Sequence, residues 1–111
     1  MANVFRGIPL IFTSTALTTV YTANATCRAL VQNCQLTNAA GNHDISGYIY
    51  DSAKATTYLV GVTTIGANET LPLNIGAFVI EENCSLLIQV NNTTVSGHLA
   101  IMEINRSAVS K

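Results

Sequence analysis

The stretch "AAGNHDISGYIYD", residues 39–51, sets His43 beside Asp44 a short way after Cys34. A thiol, an imidazole and a carboxylate are the parts of a nucleophile, a base and an orienting acid, provided that they converge in space. Adjacent residues on an extended chain project to opposite sides, so His43 and Asp44 cannot both turn toward one thiol. A polar hairpin loop, with Asn42 and Asp44 bonding their own backbone, accounts for the same residues with less. The other chemistry-bearing residues are no better arranged. Cys27, Cys34, Cys84, His43 and His98 lack the close ligand-pair spacing of a zinc site, and an odd cysteine count cannot all pair within one chain. Glu81 and Glu82 are sequence neighbours at a strand end, which is no glycosidase pair. No phosphate loop, dinucleotide fingerprint, calcium loop or zincin motif is present. The expectation is a protein that is not an enzyme and holds no metal or cofactor.

The elements that carry these residues are short and extended. Apolar residues make up 49% of the 111, but charged ones only 10%, against roughly 25% in ordinary soluble domains. Thr and Asn fill the difference, giving a surface with many hydrogen-bonding groups and little ionic repulsion. A formal net charge of -1 adds little long-range steering. Arg6, Arg28, Lys54, Arg106 and Lys111 are scattered, so no basic patch marks a nucleic-acid partner. The run "GIPLIFTSTALTTVY" is interrupted by Pro9 and by Ser and Thr, well short of the ~20 apolar residues that span a bilayer, so no membrane partner is expected. Its alternation of β-branched and polar residues also differs from the compact apolar block of a secretory signal, although "ANA" at residues 23–25 imitates a cleavage site. Without such a segment, the N-x-S/T sequences at Asn24, Asn68, Asn83, Asn91, Asn92 and Asn105 are the chance product of an Asn- and Thr-rich chain.

Strand periodicity runs through the chain, and helical spacing is not found. Strands are expected over residues 15–22, 26–36, 45–51, 56–63, 69–73, 78–82, 85–90 and 95–104. Strands at intervals of roughly 8–12 residues predict an all-β, single-domain antiparallel β-sandwich, jelly-roll or immunoglobulin-like, of about eight strands. In "ISGYIYD", Ile45, Gly47 and Ile49 should face one way and Ser46, Tyr48 and Tyr50 the other. "SLLIQV" is apolar on both faces except at Gln89, as in a strand covered on its second side, for instance by a neighbouring subunit. The sandwich should occupy residues 15–105, followed by a tail over 106–111 and preceded by an arm or added strand over 1–14. Within that arm Val4, Phe5, Ile8, Leu10, Ile11 and Phe12 are too apolar to hang in water. They either meet a partner's sheet edge or cap the chain's own sandwich. Together with Tyr48 and Tyr50 they form the expected interface.

The order "TTVYTANATCRALVQNCQLTN", "YIYD", "TTYLVGVTTIGANETLPL", "FVIEENCSLLIQV" and "VSGHLAIMEI" resembles small β-sandwich virion proteins of tailed bacteriophages. The matching positions are Thr18 to Thr22, Thr37 with Asn38, Tyr58 with Leu59, Pro72, Leu87 to Gln89, and Glu103 with Ile104. Where such sandwiches often carry Gly-Asp before the penultimate strand, this chain has Glu82 and Asn83. The resemblance implies a structural component made in the host cytoplasm and located in the virion, favouring the capsid surface. It would self-associate, a trimer being favoured, and bind the major capsid protein or another virion protein as a decoration or cement protein. A neck, tail or fibre component is the alternative. A carbohydrate-binding sandwich with Tyr48, Tyr50 and Tyr58 as a stacking platform is the rival from another class, which the lack of Trp disfavours.

Overall fold

A computed structural model describes residues 3–72 and 78–105. It contains β1 (Asn3–Ile11), β2 (Thr18–Thr22), β3 (Cys27–Asn38), β4 (His43–Asp51), β5 (Thr56–Ile65), β6 (Glu69–Pro72), β7 (Phe78–Ile80), β8 (Cys84–Val90) and β9 (Val95–Asn105). All eight expected strands are present. The ninth, β1, arises from the segment read as an arm, whose first residues and the 106–111 tail lie outside the described residues. The order β1-β9-β3-β6 forms one sheet, with β7 also beside β3, and β2-β8-β4-β5 forms the other. β6 and β7 pair with successive stretches of β3, near Leu36 and near Leu30, and so share one edge position. Counted that way, each sheet holds four positions in the jelly-roll order, β4 and β5 forming the hairpin within the second sheet, which decides between the two sandwich types expected.

Alternation explains why these segments pair as they do. Along β3, Cys27, Ala29, Val31, Cys34, Leu36 and Asn38 are buried while most intervening residues are not. The phase slips by one at Gln32, the extra residue of a bulge where Val31 pairs with Ile101 and Asn33 with Ala100. Ile45, Gly47 and Ile49 on β4 and Leu86, Ile88 and Val90 on β8 meet that face from the other sheet. Each fully buried Leu or Ile contributes about 1.5–3 kcal/mol relative to exposure. The jelly roll is thus held by one apolar core between the sheets.

β1 pairs antiparallel with β9 along its length, from Asn3 opposite Ile104 to Ile11 opposite Ser96. Leu10 and Phe12 are buried in the chain's own core, and Ile8 packs against it. Leu10 and Phe12 therefore leave the expected interface: inward alternation on a paired strand commits them to the sandwich. Close approach is built in nearby, because a Cβ on Gly97 would lie 2.2 Å from the Gln35 carbonyl oxygen across the β3–β9 ladder.

Candidate assembly surface

His43 and Asp44 open β4 directly after the loop at 39–42, instead of lying in that loop as expected. Asp44 is exposed, and its Oδ1 accepts a hydrogen bond from Thr64 Oγ1 at 2.8 Å. Cys34 lies in the opposite sheet with its side chain in the core, where burial pushes the thiol pKa up to about 12. The three groups do not converge. Cys27 and Cys84 are also buried free thiols with raised pKa values, burial being the main cause. Among the described residues no group of three or more His, Cys, Asp and Glu could hold a metal ion.

The loop's organising residue is Asn38, the one buried polar side chain among the described residues. Its Nδ2 donates to the carbonyls of Gly41 (2.5 Å), Ile65 (3.0 Å) and Gly66 (3.3 Å). Its Oδ1 accepts from the Ala40 N–H (3.3 Å) and from Thr94 Oγ1 (2.9 Å). One amide thereby ties together three loops at one end of the sandwich. Gly41, at φ 73°, makes the turn that this requires.

A second polar tie joins the sheets elsewhere. Glu103 on β9 accepts from Tyr21 Oη on β2 and from Arg6 Nε on β1, both at 2.6 Å. Burial pushes the Tyr21 phenol up, and Glu103 adds to the shift. Both ties are structural.

The pairing registers identify what faces outward. On the first sheet Phe5 opposes Met102, Met102 opposes Leu30, and Leu30 opposes Val79. This apolar row crosses β1, β9, β3 and β7, and its ends are open to solvent, Phe5 being 70% and Val79 47% exposed. On the second sheet Thr19 opposes Leu87, Leu87 opposes Tyr48, and Tyr48 opposes Leu59. Leu59 is 53% exposed, and Val62, opposite Ser46 on the same face, is 61% exposed. Each outer face thus carries an apolar row across its strands, on a surface with few charges.

The expected interface residues divide accordingly. Phe5, Tyr48 and Tyr50 lie on outer faces, with Tyr48 and Tyr50 half-buried. Ile11 is exposed at the end of β1, and Val4 is exposed opposite Glu103. Sequence reasoning missed Leu59, Val62, Val79 and Met102. The signal that could have found them was apolar content on both faces, as noticed in "SLLIQV" and equally present in "TTYLVGV". Tyr58 pairs with Ile49, an inward position, so it does not share a face with Tyr48 and Tyr50. The three-tyrosine platform is not assembled.

No protein-family model matches the chain, and no curated protein matches it. Among solved structures, it is similar to the Drosophila NLP-core, described for its pentamer formation and histone binding: TM-score 0.53, 15% identity, covering 94% of this chain and 98% of that one. It is similar also to Bacillus endospore appendages that form disulfide-linked pili: TM-score 0.51, 12% identity, 92% and 82%. A pentameric capsid protein isolated from metagenomic phage sequences gives TM-score 0.48 at 14% identity, covering 91% of this chain and 65% of that one. At these identities the likeness is one of fold.

Proposed function

We propose that this chain is a non-enzymatic structural subunit of a virion, which associates with copies of itself and with the assembled shell. The observation that carries the proposal is the pair of outward apolar rows, Phe5–Met102–Leu30–Val79 and Leu87–Tyr48–Leu59. Rows of this kind on a chain of net charge -1 favour close neighbours over isolation in water. The jelly roll is a fold found in viral capsid domains, and also in lectins. The sequence resemblance to phage virion sandwiches points the same way, toward a decoration or cement protein on the capsid and a trimer as its unit. Two structures of similar fold carry names of assemblies, a pentamer and a pilus.

The mechanism is mass action. A subunit that binds only the assembled shell stabilises that shell by RT ln(1 + [L]/Kd), about 2.7 kcal/mol at a hundredfold excess over Kd. Cosedimentation with purified particles tests this reading. The expected result is a chain that pellets with assembled shells, remains in solution with unassembled capsid subunits, and raises the temperature at which shells release their contents. A chain that ignores shells and sediments as a monomer at every concentration would overturn it.

A further inference from the structure

β5 closes the second sheet as an edge strand, pairing with β4 and with no strand on its other side among the described residues. Natural sheet edges are commonly blunted by charge, proline, shortness or a bulge. β1 carries Arg6 and Pro9, β6 ends at Pro72, and β2 is five residues long. By contrast β5 is ten residues, "TTYLVGVTTI", with no charge and no proline, and exposes Tyr58, Leu59, Val60 and Val62. Its one irregularity is a bulge at its middle: Gly61 opposes Gly47 and Leu59 opposes Tyr48, leaving Val60 without a partner.

That bulge sets which partner strand fits. Leu59 and Val62 lie on the outer face, whereas Tyr58 and Thr63, opposite the inward Ile49 and Ile45, lie on the inner one. In an antiparallel ladder opposed residues share a face, and a one-residue slip reverses every side chain. A second β5, related by a two-fold axis at the bulge, satisfies this along the whole strand. Leu59 then opposes the partner's Val62, Tyr58 opposes the partner's Thr63, and the two bulges lie against each other. A slip of two residues sets each bulge against a regular pair instead. The same register brings the Lys54 turn of one copy toward the Glu69 end of the other, opposite charges that are both exposed. It also extends each Leu87–Tyr48–Leu59 row by one apolar residue, the partner's Val62.

We propose that β5 is the edge through which two copies of this chain join, by antiparallel β5–β5 pairing centred on the Val60–Gly61 bulge. The inference rests on the self-association in the preceding reading, and names its partner and register. The contact is isologous, so it joins copies in pairs and would link trimers to one another instead of building one.

Disulfide trapping between different variants tests the register. Directly opposed residues bring Cβ atoms to roughly 4.5–5.5 Å, near the separation that a disulfide bridges with a small adjustment. Leu59→Cys chains mixed with Val62→Cys chains should give a covalent dimer under mild oxidation, well above either variant alone. Thr57→Cys mixed with Thr64→Cys should behave likewise, and the wild-type chain, whose cysteines are buried, sets the background. These side chains point away from the core, so the variants fold. If wild-type chains sediment as larger species but neither mixture crosslinks above its single variants, the β5 pairing is overturned and self-association stands. If wild-type chains stay monomeric throughout, self-association fails and the pairing with it.

Discussion

Tyr21 donates its phenolic hydrogen to Glu103 across the two sheets at 2.6 Å, and Arg6 reaches the same carboxylate from the edge strand. Burial alone pushes the Glu103 carboxyl up, but the hydrogen bonds from Tyr21 and Arg6, with the Arg6 charge, outweigh it and leave the pKa lowered. A lowered folded pKa contributes stability above the unfolded value of about 4.3, lost as pH falls through the folded value. Chemical denaturation across pH should therefore show wild type more stable than Glu103→Gln at pH 7, with the gap closing in acid. Tyr21 has the opposite sign: its raised pKa keeps its contribution intact below about pH 10 and lets it go as pH rises further. Tyr21→Phe should cost about 1–2 kcal/mol at pH 7 and flatten the alkaline loss.

The Asn38 side chain bonds all three loops at once, beside the backbone bonds from Ala39 N–H to the Thr94 carbonyl and from Asn68 N–H to the Asn38 carbonyl. Asn38→Leu removes the side-chain bonds and leaves buried carbonyls unpaired, a change worth about 3 kcal/mol in urea denaturation. Thr94→Val, which removes one hydroxyl of the set, should cost about 1 kcal/mol.

Gly97 faces the β3 backbone, and a backbone oxygen cannot swing aside as a side-chain end can. Gly97→Ala should lower the denaturation midpoint by the equivalent of about 3 kcal/mol, at the upper end of overpacking costs. Gly7→Ala would instead meet the ring of exposed His98, which can rotate away, and should cost less than half as much.

These residues mark where sequence reading stops. Strand positions were legible because β-branched alternation and the turn residues at Gly41, Asn68 and Asn83 are local, and all three take positive φ as turns require. The inward set Ile45, Gly47 and Ile49 followed from the same period. The fate of the first twelve residues did not, since an apolar strand carries no mark of whose sheet it joins. Only the β9 register reveals that Leu10 and Phe12 turn inward while Phe5 and Ile11 turn out. The outer rows were illegible for a related reason: Phe5, Met102, Leu30 and Val79 are far apart in sequence and become neighbours through cross-strand pairing. Asn38, two residues past the expected strand 26–36, gave no local sign that three loops would converge on it.

The cysteines offer a check on the core. Cys27, Cys34 and Cys84 are buried, and burial raises each thiol pKa, Cys34 to about 12. An alkylating reagent at pH 8 should leave Cys34 unmodified in native protein and modify all three cysteines after denaturation. Rapid native modification of Cys34 would mean that the sheets open there.

The most direct test of the assembly account is sedimentation velocity over a concentration series, comparing wild type with a Phe5→Lys, Leu59→Lys double variant. Both side chains are more than half exposed at the ends of the outer rows, so the charges leave the core untouched. Wild type should form species larger than a monomer as concentration rises, and the variant should remain monomeric with an unchanged denaturation midpoint. Identical sedimentation of the two chains, both monomeric or both associated, would contradict an assembly surface built on these rows.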